Sequence, residues 1–144
     1  MLELLNQQFG NVLVPPAVAL ELAHPPSAFV PLDLEKLTNF RIQAPVDLAR
    51  VSQIEESLDR GESQAIVLAM EVNASYLLID EADGRAMAAR LRISTTGTLG
   101  ILLRGKEMGR IAKIEPLLDA LEEGLRFFID SGLRQRVLKK AGER

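Results

Sequence analysis

Short apolar segments of two kinds alternate along this chain. In residues 1–9 the apolar side chains fall at positions 1, 2, 4, 5 and 9, a spacing that places them on one face of a helix. Residues 12–14 and 76–79 are instead continuous apolar runs, which are typical of short strands buried on both faces. Helices that alternate with such strands indicate an α/β domain with a parallel sheet of about four strands.

Turn residues and apolar spacing set the expected boundaries of the remaining elements. Further helices are predicted over residues 17–23, 32–39, 51–58, 63–72, 84–91, 98–108, 114–123 and 133–141. An edge strand is predicted over residues 40–42, a β-rich segment over 93–95 and a last strand over 127–129. No repeat or linker interrupts the pattern, so residues 1–144 are expected to form a single domain.

Composition restricts the metal chemistry and the location. With no cysteine and a single histidine, His24, the chain cannot form thiolate or histidine-rich metal sites. A metal ion would be bound by oxygen atoms, which favours Mg²⁺ or Mn²⁺. No apolar run reaches the roughly 18–20 residues that span a bilayer, and the N-terminal residues do not resemble a signal peptide. We therefore expect a cytoplasmic protein without a membrane partner.

Charge is distributed unevenly between the two parts of the chain. Residues 1–81 carry 4 basic and 12 acidic groups, whereas residues 82–144 carry 13 basic and 8 acidic groups. An acidic part beside a basic part fits a metal site next to a surface that binds a polyanion. It fits equally well ordinary solvated helix faces, or two subunits that pair through opposite charge. The pattern leaves these three interpretations open.

Three acidic residues are candidates for function, each with a simpler alternative. Asp80 follows the apolar run 76–79, at the strand end where ligand sites form in parallel sheets, but it could also be the N-cap of the next helix. Glu62 lies at the start of a helix, where a carboxylate is stabilised simply by the helix dipole. Glu21 lies on a short helix after two prolines and could be an ordinary surface acid.

Several residues in the second part of the chain could contact phosphate. Arg85 lies one helical turn beyond the strand end, although an ion pair with Glu81 is the alternative. Thr96 and Thr98 flank a glycine at the start of a helix, where free N–H groups can bind a phosphate oxygen or simply be capped. On and after the same helix lie four basic residues that could follow an RNA backbone: Arg104, Lys106, Arg110 and Lys113.

An ordered set of motifs carries a resemblance to a known family. The motifs are Val14-Pro15-Pro16-Ala17-Val18 with Glu21-Leu22, Gly61-Glu62-Ser63-Gln64-Ala65-Ile66, Leu78-Ile79-Asp80-Glu81 with Gly84-Arg85, and Thr96-Gly97-Thr98-Leu99-Gly100-Ile101-Leu102-Leu103. Together they resemble the PIN-like proteins of domain of unknown function 3368, which are similar to PIN-domain ribonucleases such as VapC-type toxins. The resemblance runs over the whole chain, to Gly142-Glu143.

The resemblance implies a fold and a set of metal ligands. The implied fold has three layers, α/β/α, around a mostly parallel sheet, and its clustered acids bind Mg²⁺ or Mn²⁺. By position Glu21, Glu62 and Asp80 match the second, third and fourth acids of that cluster, with Glu81 and Asp83 as helpers. The first acid and the central strand that carries it have no counterpart, so the chain is expected to be an N-terminally truncated PIN-like domain.

Two functions follow from this resemblance. One is a metal-dependent endoribonuclease that hydrolyses RNA phosphodiester bonds, as the toxin of a toxin–antitoxin pair. The other is a catalytically inactive relative that binds an antitoxin-like protein or forms a homodimer. Three acids in register favour the enzyme, whereas loss of the first acid favours the binding module. The sequence leaves open whether this chain is an enzyme.

Overall fold

The computed structural model describes residues 2–25, 31–124 and 129–144. Its residues cluster into two compact units. We call Phe9–Gly97 the strand unit, and Met1–Gln8 together with Thr98–Arg144 the helical unit. In chain order the elements are α1 (Leu2–Phe9), β1 (Val12–Val14), α2 (Pro16–Ala23), β2 (Phe40–Ile42), α3 (Leu48–Glu55), α4 (Arg60–Glu71), β3 (Leu77–Leu78), α5 (Ala82–Arg90), β4 (Thr95–Thr96), α6 (Thr98–Glu107), α7 (Glu115–Gly124) and α8 (Ser131–Lys140).

The strands of the strand unit form two separate parallel pairs. β1 pairs with β2, and β3 pairs with β4. Parallel strands were predicted, but among the described residues they do not join into one sheet of four. The backbone N–H of Val12 donates to the carbonyl of Asn39, and that of Ile79 donates to the carbonyl of Thr96. Because alternate residues of a strand face opposite edges, Leu13 and Leu78 direct their backbone groups away from these partners.

The strand β3 is covered on one face only. Leu77 and Ile79 are buried, whereas Leu78 between them is 45% exposed. The prediction of a strand buried on both faces was therefore wrong, because the side chains alternate between a covered and an open face. The covered face belongs to a core shared mainly with α3, α4 and α5, whose buried members are Val51, Ile54, Ile66, Val67, Ala69, Leu77, Ile79 and Ala88.

Most predicted helices are confirmed with boundaries shifted by a few residues. The exception is the helix predicted over 32–39, where only a 3₁₀ turn at Leu34–Lys36 forms. Asp33 caps that turn, and Asn39 has a positive φ, which ends any helical continuation. For the strand predicted over 127–129, Phe127 and Phe128 lie outside the described residues, while Ile129 is buried but not in a strand. In the described part of the chain, no helix has the length and apolar composition to cross a membrane.

The helical unit is held by an apolar core and by two groups of charged residues. Its buried apolar residues are Leu102, Ile114, Leu118, Ile129, Val137 and Leu138. Arg134 of α8 forms ion pairs with Asp119 and Glu122 of α7, at 2.6 and 3.0 Å. Glu143, beyond α8, pairs with Lys106 at 2.7 Å and accepts hydrogen bonds from the backbone N–H groups of Ile114 and Glu115. The C-terminal residues thereby connect α6 to the start of α7.

Replacing Glu143 with glutamine should lower the melting temperature, because it removes this charge-assisted contact. The Lys106 ammonium and the two N–H groups lower the pKa of Glu143 from 4.5 to about 2. A carboxyl whose pKa is lowered by folding stabilises the protein above its unfolded pKa and loses that effect as the pH falls. The difference between the wild-type and Glu143→Gln melting temperatures should therefore be full at pH 7 and largely lost by pH 2. A pH-independent difference would contradict this assignment.

Candidate functional site

The helix α4 positions the acid Glu62 in its first turn. Asp59 is the N-cap residue, and its carboxylate accepts a hydrogen bond of 2.8 Å from the backbone N–H of Glu62. The helix was predicted to start at residue 63, whereas it begins at Arg60. The earlier start follows from the N-cap, because Asp59 pairs an N–H group that no helical carbonyl can reach.

The side chain of Glu62 lies in an environment that disfavours its charged form. Its Oε2 atom is buried and has no hydrogen-bond partner among the described residues. Burial, contact with Asp59 and the charge of Glu81 raise the pKa of Glu62 from 4.5 to about 7. A helix N-terminus alone would favour the carboxylate and lower the pKa. At Glu62 burial and the neighbouring acids act in the opposite direction and raise the pKa.

Asp80 lies at the carboxyl ends of β3 and β4, the place predicted for it. It follows Ile79, and its Oδ1 atom is so near Gly97, the residue after β4, that a methyl group there would be 2.7 Å away. The alternative role of Asp80 as helix N-cap is wrong, because Glu81 occupies the N-cap position of α5. Asp83 lies in the first turn of α5 and is exposed.

Glu21 is brought near the start of α4 by a fixed contact between two helices. The side chain of Gln64 is only 7% exposed and accepts a 2.9 Å hydrogen bond from the backbone N–H of Ala17, at the start of α2. Glu21, further along α2, lies against Gly61: a methyl group there would be 3.0 Å from Glu21 Oε1 and 3.6 Å from Asp59 Oδ1. Glu21 and Asp59 therefore both lie against the first turn of α4.

The predicted acids are thus assembled along one region of the strand unit, but not all at one point. Glu62 interacts with Asp59 and Glu81. The carboxylates of Glu21 and Asp59 both lie close to the position that a methyl group at Gly61 would occupy. Among the described residues, no group of three acids is close enough to hold a metal ion. Two observations nevertheless fit a divalent cation: all the donors are carboxylate oxygens, and one of them is buried without a partner in this part of the chain. Of the predicted acids, Glu62 is the one whose surroundings fit a cation best.

The residues predicted to contact phosphate are divided between the two units. Arg85 in α5 is exposed and forms no ion pair with Glu81 or with any other described residue, so that alternative is wrong. Thr96 lies in β4, where it is opposite Leu78. In the helical unit, α6 begins at Thr98 as predicted, and Arg104 is exposed on that helix. Lys106 is instead bound to Glu143, so its predicted contact with RNA competes with an internal ion pair.

Asp59 is a member of this acidic group that the sequence pattern did not single out. It falls between the two predicted helices 51–58 and 63–72, whereas the structure gives it two effects, capping α4 and raising the pKa of Glu62. A signal was present in the sequence, since Asp59 and Glu62 have the Asp-x-x-Glu spacing of a helix start before an apolar run. That spacing places the two carboxyl groups in the same first turn.

Replacing Asp59 with asparagine should separate these two effects. Asparagine caps a helix about as well as aspartate, so the helix α4 should be retained. It carries no charge, so the pKa of Glu62 should fall from about 7 toward 4.5. The pKa can be followed by a carbon-13 NMR titration of the Glu62 carboxyl group. An unchanged pKa in a folded Asp59→Asn protein would show that Asp59 does not act on Glu62.

Comparison with known protein families identifies the family of this chain. A family model described as domain of unknown function 3368, PIN domain, matches residues 1–143. Searches of the curated proteins and of the solved structures found no match. The alternating helices and short parallel strands agree with a PIN-like α/β/α fold, as the sequence motifs predicted. Because the family model covers nearly the whole chain, this protein belongs to the PIN-domain family of domain of unknown function 3368.

Proposed function

We propose that this protein is a metal-dependent ribonuclease that hydrolyses RNA phosphodiester bonds. A PIN domain has a nuclease-like fold. The observation that best supports the proposal is the environment of the Glu62 carboxyl group. Its carboxyl group has a buried oxygen without a partner among the described residues, and a pKa raised to about 7 among other acids. Acids whose pKa is perturbed by burial and by neighbouring charges are typical of functional sites.

In this proposal the acids of the strand unit bind a divalent cation, with Mg²⁺ or Mn²⁺ as the ion. When bound, such an ion polarises a phosphoryl oxygen and lowers the pKa of water. Glu62 would hold it through the oxygen that has no other partner in the described chain, with Asp80 and Glu21 as the further predicted ligands. Glu81 and Asp83, at the start of α5, are the proposed helpers that orient water or the cation. Asp59 supplies negative charge and fixes the first turn of α4.

The substrate in this proposal is RNA, whose phosphates need basic partners. Arg85 is the best placed of these in the strand unit, because its exposed guanidinium has no ion pair among the described residues. Thr96, Thr98, Arg104 and Lys106 stay predicted contacts. The toxin role, in which the protein is neutralised by an antitoxin-like partner in the cytoplasm, is the finer form of the same proposal.

The experiment that tests the proposed function is cleavage of a labelled single-stranded RNA. The 144-residue protein is incubated with Mn²⁺, with Mg²⁺ and with EDTA. Cleavage that requires the metal and is abolished by EDTA is expected. A preparation that cleaves equally well in EDTA, or does not cleave in either metal, contradicts the proposal.

A second candidate function is a non-catalytic binding module, either a homodimer or the partner of an antitoxin-like protein. The observation that favours it is the pair of strand edges at Leu13 and Leu78, which have no strand partner among the described residues. Such edges can pair with an added strand. Light scattering of the purified protein tests the homodimer. A dimer that cleaves no RNA in either metal would favour the binding module over the enzyme.

A further inference from the structure

Two glycines touch carboxylates of the proposed site. A methyl group added at Gly84 in α5 would overlap both Glu62 Oε2 and Ile79 Cδ1. A methyl group added at Gly97, after β4, would lie 2.7 Å from Asp80 Oδ1. Real methyl carbons do not approach oxygen this closely, so each carboxylate occupies the space that a side chain would fill.

The backbone at these two positions does not require glycine. Gly10, Gly109 and Gly142 have φ values of 70°, 74° and 75°, where glycine is favoured for its backbone freedom. A methyl group added at any of them would contact no described atom beyond those of the adjacent residues. Gly84 and Gly97 have no such φ value. Gly84 is also inside a helix, where alanine has the higher propensity. The reason for glycine is therefore space and not the conformation of the chain: Glu62 and Ile79 take that space at Gly84, and Asp80 takes it at Gly97.

We propose that Gly84 and Gly97 are positioning residues, whose missing side chains set the places of the Glu62 and Asp80 carboxylates. This inference rests on the proposed function, in which those carboxylates bind a divalent cation. An alanine at Gly84 meets the flexible end of Glu62 and also Ile79, a core residue, so the melting temperature is measured beside the metal affinity. The side chain of Glu62 then rotates away, and the site loses a ligand while the fold remains.

Gly61 offers a graded comparison on the same principle. A methyl group there would be 3.0 Å from Glu21 Oε1 and 3.2 Å from Val18 Cγ2, which is tight but requires only a small shift. Gly61→Ala should therefore affect the site less than Gly84→Ala does. Ala89→Ser is the matched control, since it changes an exposed residue of the same helix more than one turn away from Asp83.

The test measures the affinity for Mn²⁺ by calorimetry and the melting temperature without metal. A double-mutant cycle uses four proteins, namely wild type, Gly84→Ala, Glu62→Asp and the double variant, and Gly97→Ala, Gly61→Ala and the α5 control are measured beside it. We expect Gly84→Ala to remain folded and to weaken Mn²⁺ binding at least about tenfold, a change of ~1.4 kcal/mol. The shorter Glu62→Asp side chain removes the overlap with the carboxylate but not the one with Ile79, so in that background the same substitution should change the affinity less than about twofold while still lowering the melting temperature. Gly97→Ala should weaken Mn²⁺ binding to a similar extent as Gly84→Ala.

The results separate failure of the inference from failure of the proposed function. Unchanged Mn²⁺ affinity in Gly84→Ala, or an equal loss from Gly84→Ala in the wild-type and Glu62→Asp backgrounds, would overturn the inference. If the wild-type protein or Glu62→Asp binds no Mn²⁺, the melting temperatures of the wild type, Gly84→Ala, Glu62→Asp and the double variant test the inference instead. Non-additive shifts would support the steric role of Gly84 toward Glu62, and additive shifts would overturn it, while absent wild-type binding counts against the proposed function alone.

Discussion

Glu62→Gln is expected to reduce metal-dependent RNA cleavage by at least ~100-fold. The substitution keeps the shape of the side chain but removes the charge of the carboxyl group whose Oε2 atom is buried without a described partner. Loss of one ligand removes several kcal/mol of charge stabilisation in the transition state, and each ~1.4 kcal/mol corresponds to a factor of about ten in rate. Initial rates at saturating Mn²⁺ measure the effect.

Asp80→Asn should give a loss of the same order, because Asp80 lies at the ends of β3 and β4 beside Gly97. The exposed acid Glu55, at the end of α3, provides the matched control, and Glu55→Gln should remain within about twofold of the wild type. Retention of full activity in Glu62→Gln would exclude Glu62 as a ligand. Equal losses in all three variants would indicate a general effect of charge rather than a site.

The stability of the protein should depend on pH through Glu62, and Glu62→Gln should remove that dependence. The folded protein binds the Glu62 proton more tightly than the unfolded chain does, with a pKa of about 7 against 4.5. Between these values the free energy of unfolding therefore falls as the pH rises, and above pH 7 the full cost of the buried charge is present. Because Glu62 is only half-buried, we expect a cost of about 1–2 kcal/mol.

Urea unfolding at pH 3.5 and pH 8 measures this difference. Glu62→Gln should match the wild type at pH 3.5, where the acid is largely protonated in both the folded and the unfolded state, and should be more stable at pH 8. Glu55→Gln serves again as the control, since it removes an exposed acid from the same unit. If Glu62→Gln is only as stable as the wild type at pH 8, or is more stable than the wild type at pH 3.5 instead, the raised pKa of Glu62 is contradicted.

The sequence was most informative about local structure. Apolar spacing predicted the helix that begins at Thr98 and ends before Gly109, which has a positive φ of 74°. Asn73, after α4, has a φ of 53°, a left-handed conformation that asparagine adopts more readily than most residues. These features depend on side chains within a few residues of one another, so a linear pattern contains them. The helix predicted over 32–39 does not form, and its absence also has a local cause. The cap at Asp33 and the positive φ of Asn39 restrict the segment to one turn.

Non-local structure was harder to predict. An apolar run of four residues at 76–79 suggested burial on both faces, but only a covering element on each side can bury both. Leu78 is 45% exposed because the core of the strand unit covers the face of Leu77 and Ile79. The separation of the strands into two pairs is likewise a property of packing, since β1, β2 and β3 were each predicted close to their observed positions.

The candidate site was predictable in its members but not in its electrostatics. Family motifs indicated Glu21, Glu62 and Asp80, and the structure adds the contacts that surround them. No sequence pattern could reveal that Glu62 Oε2 is buried without a described partner, because that depends on Gly84 in another helix. The effect of Asp59 on the pKa of Glu62 likewise depends on the positions of both side chains.

The central claim is that Glu62 binds the divalent cation, and Mn²⁺ titration followed by NMR tests it most directly. Mn²⁺ is paramagnetic and broadens the signals of nearby nuclei, so the bound ion can be located without relying on activity. We predict that the Glu62 carboxyl signal and the amide signal of Gly84 broaden first, at low Mn²⁺, and that Glu62→Gln abolishes the broadening at Gly84. Broadening that spares both residues, or that is unchanged at Gly84 in Glu62→Gln, would contradict this claim.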